Sequence, residues 1–421
     1  MRADRRVGPP DVPESSGHLY SAPPHERHVN TPPLFVIFSV TVTGVLANTL
    51  VNAPLPDILR HFSRSGPSAG LFVASGTIAG VVMAPAIGLL ADRVGRRTVL
   101  LPCLLAFGVF GVLGGLAPSF EILLIARTLQ GLGAAGLLNL AVVLIGDHWA
   151  GTERTRVIGW NAAVLTISLV IFPSMGGLLT ELWGWRAAFA PYAIGFFAAW
   201  MVVRWLPDGG PRGASPTLAS QLKDAAALLR RPELAGSVAF GFVSFVLIFG
   251  LFLTVLPILL EQRFSLGPAA RGLAISAPAA SSTISALTVG RLARRWGRVR
   301  LLVLGCSMWA VAFVAIGAAG ALPVLLAGAL LYGFGEGMVI PAVQDLVTSS
   351  APDRSRGVVV ASFVAAVRAG QTVGPLGMAT ASEWLGTGGV FFFGAAVAGA
   401  MAFAASVSEY RREHRNSRAP E

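Results

Sequence analysis

Charge is scarce in this chain. Asp, Glu, Lys and Arg make up 13% of its 421 residues, against about 25% in a soluble protein. Lysine is nearly missing: Lys223 is the single one, so the 32 basic residues are otherwise arginine. Cysteine is rare too. Cys103 and Cys306 each sit in an apolar run, which excludes a disulfide framework, a thiolate metal site and a redox pair. The histidines (His18, His25, His28, His61, His148 and His414) lie outside the long apolar stretches or at their ends. HExxH, P-loop and other phosphate-cradling motifs are absent. These gaps argue against a membrane metalloenzyme, a haem protein and an ATP-driven pump. No cofactor and no catalytic role are expected.

Apolar residues are what the chain has. They make up 54%, and the mean hydropathy is +0.68. A soluble domain cannot hide that much apolar surface, so lipid is the expected solvent. A spanning helix needs about 20 mostly apolar residues. Twelve such stretches can be marked: 34–56, 68–91, 98–117, 120–147, 157–180, 186–205, 234–260, 270–290, 301–319, 323–347, 357–380 and 386–407. Membrane β-strands are shorter and alternate in polarity, so helices are the better reading. The fold class expected is therefore all-α and polytopic.

The polar breaks divide the chain. Residues 1–33, rich in Pro, Ser, His and charge, read as a disordered tail and not as a signal peptide. A six-helix bundle over 34–206, a linker over 207–232, a second bundle over 233–407 and a charged tail over 408–421 follow. Arg60, Arg64, Arg186, Arg263 and Arg271 fall on one side of the membrane, Arg127 and Arg368 within it, and the remaining basic residues on the other side. The positive-inside bias then puts both termini in the cytoplasm of a cell membrane. The net charge of +11 becomes a topology signal, not a nucleic-acid footprint.

The two bundles repeat at an offset of 202 residues. Gly88, Gly95 and Arg96 match Gly290, Gly297 and Arg298, and Asp92 falls opposite Arg294. Phe62-Ser63 matches Phe264-Ser265, Gly131 and Gly133 match Gly333 and Gly335, and Pro173 matches Pro375. Six spans per unit give copies of the same orientation, related by an axis along the membrane normal, with a binding site between them near the midplane.

On these features the chain resembles the major facilitator superfamily of secondary transporters over 34–407. Within it, the chain looks most like the twelve-helix drug:proton antiporters. The motif Gly88-x-x-x-Asp92-Arg93-x-Gly95-Arg96-Arg97 carries the likeness most strongly. In the resembled family this loop latches the halves and breaks during alternating access. The plain alternative is a basic loop that only sets topology. Arg127-x-x-Gln130 in helix 4 matches the family's buried Arg near its proton route. Such a charge costs about 2.5–3.5 kcal/mol on insertion scales, so it is a functional candidate by default. Packing, with carbonyls satisfying the charge, is the other reading. Pro173, Gly176 and Gly177 match the antiporter glycine pattern in part, since Ser168 and Phe172 stand where glycines are usual. The resemblance implies a hinge there. Gly374 and Pro375 in helix 11 read as a second hinge, and Arg368 and Gln371 on the same helix as cavity lining.

Glu336 is the deep acid of the spans. A membrane carboxylate is costly when charged and cheap when neutral, which suits proton binding and release. It heads the proton-coupling candidates, with Arg127 and Asp57 beside it. A fixed ion pair with Arg127 or Arg368 is the alternative for Glu336, and a helix-end anchor for Asp57. Asn48 and Asn52, four residues apart on helix 1, are candidates for substrate contact or for bonding a neighbouring helix. Asn139 and Gln344 are weaker candidates. The helix 7 phenylalanines (Phe242, Phe245, Phe249 and Phe252) read as lipid-facing or packing residues, and Trp185-Arg186 as an interfacial anchor. The function expected is proton-coupled efflux of small organic molecules by a monomer whose partners are substrate, protons and lipid. A metabolite importer or uniporter of the same fold is the second reading. A non-transporting membrane sensor or enzyme is a remote third. Substrate identity does not follow from the sequence, although two buried Arg and one Glu lean towards a neutral, anionic or zwitterionic compound.

Overall fold

In lipid no water is at hand to satisfy backbone N–H and C=O groups, so a spanning chain must close its hydrogen bonds within each segment. The computed structural model describes residues 31–208, 230, 232–350 and 356–416, and among these it contains helices and no strand. The described elements belong to one compact unit, Pro32–Glu421. Nearly all of the N-terminal tail, most of the 207–232 linker and the end of the C-terminal tail lie outside the described residues.

The helices run in chain order. α1 is Leu34–Thr49, resumed after a turn as Leu55–His61. α2 is Pro67–Val94, α3 is Arg96–Gly115, and α4 joins Phe120–Ala134 to Leu137–His148. α5 is Gly151–Trp183. α6 opens as a 3₁₀ segment, Trp185–Ala193, and continues as Ile194–Trp205. α7 begins at Pro232–Leu247, loosens into a π segment at Ile248–Val255 and closes as Leu256–Phe264. α8 is Pro268–Trp296, α9 is Arg298–Ala318 and α10 is Leu322–Ser350. α11 and α12 share the stretch Arg356–Asn416 and part at Gly386. Among the described residues nine helical stretches are long and apolar enough to cross a membrane. The last of them, Val358–Glu409, holds both α11 and α12, while α2 is bent and the first part of α1 is short. That is consistent with the twelve spans expected.

The boundaries have local causes. Ser119 caps α4, its hydroxyl accepting from the Ile122 N–H at 3.3 Å, with Glu121 favourably placed in the first turn. Pro67 and Pro268 open α2 and α8, where a missing N–H costs nothing. Single residues at positive φ end helices abruptly: Gly95 (99°) between α2 and α3, and Gly184 (82°) between α5 and α6.

The 202-residue repeat is built into the backbone. Positive φ occurs at Ser63 and Ser265, at Gly95 and Gly297, and at Gly184 and Gly386, each pair one offset apart. The packing repeats too. Gly131 meets the Gly76 carbonyl, and Gly333 the Pro278 carbonyl. Gly133 lies against the Cys103 carbonyl, and Gly335 against that of Gly305. The two units, α1–α6 and α7–α12, are pseudo-symmetric six-helix bundles. Apolar burial drives helices together weakly in lipid, so these glycine contacts, which let backbones touch, carry the packing.

Among the described residues the closest contacts between the halves lie near one face. Gly70 of α2 abuts the Pro375 carbonyl of α11, and its repeat partner Gly272 of α8 abuts the Pro173 carbonyl of α5. On the same helices, further along, Gly88, Gly159 and Gly290 face open space. The apolar core says the same. One large cluster draws Leu50 and Phe72 together with Val255 and Leu259, while towards the other face each half keeps a cluster of its own. That other face carries Arg93, Arg96, Arg97, Arg294, Arg295 and Arg298, and is called the basic face below.

Candidate functional site

Between the halves lies a cavity of about 460 Å³. Its wall takes Gly44 and Asn48 from α1, Asn139 from α4, Leu169 and Pro173 from α5, and Ile275 and Pro278 from α8. α10 contributes Tyr332, Glu336 and Gln344, and α11 contributes Phe363, Arg368 and Gln371. α7 supplies Phe245, Phe249 and Phe252. The last two sit in the π segment, where Thr254 Oγ1 donates to the Phe249 carbonyl at 2.7 Å across five residues. Such π segments recur at functional sites. Phe252 stacks on Tyr332 with ring centroids 4.3 Å apart. The expectation that the α7 phenylalanines face lipid or only pack is thus corrected for Phe245, Phe249 and Phe252.

Among the described residues the two charges of the cavity form no ion pair. Glu336 Oε1 accepts from Tyr332 at 3.5 Å. Arg368 Nη1 donates to Gln371 Oε1, its own α11 neighbour, at 3.2 Å. Among the described residues Glu336 forms an ion pair with neither Arg127 nor Arg368, so that alternative is removed.

Arg127 lies elsewhere. It is 3% exposed and braces the N-terminal half from inside. Nη1 donates to Gln130 Oε1 at 2.6 Å and to the Tyr192 hydroxyl at 3.1 Å, and Nη2 donates to the Ala47 carbonyl at 3.1 Å. Its guanidinium also faces Phe72, 5.3 Å from the ring centroid. Carbonyl, amide, hydroxyl and ring groups surround this charge, while its Nε is buried without a hydrogen-bond partner, and Arg127 and Gln130 stand outside the cavity wall. Asn52 does too: it is buried, and its Nδ2 donates to the Asn48 carbonyl at 2.8 Å. Of the five cavity candidates, Asn48, Arg368 and Gln371 line it, with Asn139 and Gln344.

Asp57 belongs to the opposite end of the molecule. There it pairs with Arg60 at 3.2 Å and with Arg271. Arg271 also lies 3.6 Å from Glu261, which in turn pairs with Arg60. Arg271, expected on that side of the membrane with Arg60, is buried there, at 1% exposure. The cluster joins α1 of one half to α7 and α8 of the other. Two further carboxylates flank it symmetrically. Glu181 of α5 accepts from the Ala269 N–H at the start of α8 at 2.9 Å. Glu383 of α11, one repeat on, lies against Gly66 at the start of α2. Each carboxylate faces the positive end of a helix in the other half. Neither Glu181 nor Glu383 stood out in the sequence, since each sits at a span end where acids are common.

On the basic face the ion pairs described stay within a half. Arg96 bonds Asp92 at 2.5 Å and Asp147 at 3.2 Å, and Arg97 donates to the Val203 carbonyl at 2.9 Å. In the second copy Arg298 pairs with Asp345 at 2.6 Å, although Arg294 replaces the acid at the Asp92 position. Gly88 faces open space and Arg93 is exposed.

The glycine–proline positions are contact points. α5 runs unbroken through Pro173. Gly176 packs on the Leu50 carbonyl, Gly177 on the Pro268 carbonyl of the other half, and Gly374 on the Val246 carbonyl. Pro375 receives Gly70. Trp185, expected at the interface, is 7% exposed and packs with His61, Phe62 and Phe189. Its flat rings fill the junction after Gly184.

Known proteins share this architecture. The chain is 25% identical over 355 residues to the bacillibactin exporter of Bacillus subtilis (strain 168), covering 81% of this chain and 88% of that one. It is 25% identical over 348 residues to the class B tetracycline resistance protein of Escherichia coli, with 80% and 85% covered. The crystal structure of a POT family transporter in complex with thioalcohol conjugated peptide superposes with a TM-score of 0.77 over 90% of this chain and 96% of that one, at 12% identity. The sequence model of the Major Facilitator Superfamily matches residues 37–268 and again 238–421, one match to each half. A duplicated six-helix unit around a central cavity is thus this chain's membership of the Major Facilitator Superfamily, and the chain is a multi-pass membrane transporter, not an enzyme.

Proposed function

We propose that the chain is a proton-coupled exporter of small organic molecules, working by alternating access. The observation that carries this reading is Glu336, a carboxylate on the wall of the central cavity with a tyrosine and a serine beside it and, among the described residues, no ion pair. Binding or releasing a proton there changes the charge where substrate sits. The bacillibactin exporter and the tetracycline resistance protein support the direction and the substrate class.

The basic face lies in the cytoplasm, with both termini, on the positive-inside bias. The contacts at the Asp57–Arg271 face then close the outside, and the cavity is open inward. Asp57 serves as part of the outer closure and not as the coupling site. Asp92, Arg93, Arg96 and Arg97 latch the cytoplasmic ends in the opposite state. Pro173, Gly176, Gly177, Gly374 and Pro375 let the helices slide across one another as the halves rock. The linker over 207–232 tethers the bundles, and the tails stay in the cytoplasm. The cavity is complete within one chain, so a monomer suffices.

Everted membrane vesicles test the proposal with a compound panel. Uphill accumulation should collapse on adding an uncoupler. Glu336→Gln should abolish accumulation while leaving binding or exchange. Normal pumping by Glu336→Gln would refute the assignment. Downhill movement that ignores the uncoupler would make the chain a uniporter or importer.

A further inference from the structure

Buried charges in this chain pair with one another where they can. Arg271 meets both Asp57 and Glu261. Arg127 has no acid but is met by a carbonyl, an amide oxygen, a hydroxyl and two rings. Arg368 and Glu336 break the pattern. Among the described residues neither forms an ion pair: Arg368 donates to Gln371 at 3.2 Å, Glu336 accepts from Tyr332 at 3.5 Å with Ser282 of α8 also beside it, and both stand on the wall of the same cavity. The two charges are opposite and lie beyond ion-pair distance of each other. The surface around them is largely apolar and aromatic, with Phe249 and Phe252 of the π segment on the same wall. Leaving a cation and an anion uncompensated in such a place is unfavourable. A guest that brings the complementary pair removes both costs at once.

We propose that the cavity takes a zwitterionic organic molecule with an aromatic body, its anionic group on the Arg368 guanidinium, its cationic group on the Glu336 carboxylate and its rings against Phe249 and Phe252. The guanidinium offers a fork of donors that fits a carboxylate or a similar oxyanion. The carboxylate accepts from an ammonium, and the phenyl rings offer faces and edges for offset stacking. The inference rests on the cavity being the transport site, and it gives proton exchange a chemical form. A proton on Glu336 occupies the oxygens that the ammonium needs, so proton and substrate cation compete for one group. A molecule carrying a single charge leaves one side chain unsatisfied, and sites built to bond a polar group reject analogues lacking it.

The test is equilibrium dialysis of the full chain in lipid nanodiscs against three probes with one ring system. These are 2-naphthylalanine, its primary amide, which keeps only the ammonium, and its N-acetyl derivative, which keeps only the carboxylate. The zwitterion should bind at least about tenfold more tightly than either. Arg368→Gln should erase the margin over the amide and keep the margin over the N-acetyl compound. Glu336→Gln should do the reverse. Arg368→Lys should preserve the order, which separates loss of charge from loss of fold. Equal binding of the zwitterion and either analogue, binding of none of the three, or variants that leave both margins intact would overturn the proposal. Dialysis needs no gradient, so an exporter reading that failed with the uncoupler would leave this result standing.

Discussion

Two regions of this membrane protein hold charge below its surface, and they are built in opposite ways. At the closed face Arg271, Asp57, Glu261 and Arg60 bind one another across the halves. In the cavity Glu336 and Arg368 meet neutral groups alone. The difference teaches how a transporter divides its polar residues. Charges that satisfy each other hold a conformation, and must separate when it opens. Charges left without a counter-charge are available to a proton or a guest. Arg127 belongs to neither class: it has no counter-charge, and a carbonyl, an amide oxygen, a hydroxyl and two rings hold it inside one half, off the cavity wall.

The comparison can be broken most directly through Asp57. Asp57→Ala strips Arg271 of its nearest acid and should destabilise the closed state by about 3–5 kcal/mol. Thermal unfolding of the purified chain in detergent would read this as a large drop in Tm. Glu336→Gln in the same assay should move Tm little, because no ion pair is lost. If Glu336→Gln costs as much as Asp57→Ala, the division into paired and available charge is wrong.

A second test uses the pseudo-symmetry of the interface. Gly70→Val and Gly272→Val each push a side chain into a carbonyl of the opposite half. Each should cost about 1–3 kcal/mol by overpacking, and both should shift the population away from closure at that face. Labelling of a cysteine placed at Ile258, an uncharged position buried at that face, would report the opening. Unequal effects would show that the two crossings, α2 on α11 and α5 on α8, do different work.

The smallest effect concerns the repeated turn. Ser63 and Ser265 both sit at φ 51°, a conformation costing an L-residue roughly 1–2 kcal/mol that glycine avoids. Ser63→Gly and Ser265→Gly should each raise Tm slightly and by similar amounts. A fall in Tm would mean that the serine side chains contribute contacts that outweigh the strain.

Much of the fold was legible in the sequence because it depends on local or periodic properties. Spans follow from runs of apolar residues, and the repeat showed itself through glycines that the backbone needs in both copies. Gly95 and Gly297 could be matched by eye, and they share a positive φ. The charges of the site were legible as well: Glu336 and Arg368 stood out as deep charges and do line the cavity. What misled was helix rotation. Asn48 and Asn52 share a stripe by spacing, yet only Asn48 reaches the cavity. Phe249 and Phe252 share a helical stripe with Phe245, and only the packing of α7 shows that the stripe faces the cavity. Arg271 lay three residues into a span, where depth cannot be judged without the partner helix. Arg127 and Gln130 formed a convincing motif whose face points into one half instead of between the two.

The sequence alone determined that this chain lies in lipid, crosses it repeatedly, repeats a six-helix unit and carries a few charges too deep to be incidental. Each of these rests on the hydropathy of a segment or the conformational freedom of a residue, both of which a single position carries with it. Only the tertiary structure decided which charges pair, which are left open to a guest, and at which face the halves meet. Those depend on how helices far apart in the chain are rotated and pressed together, and no property of one segment contains that information.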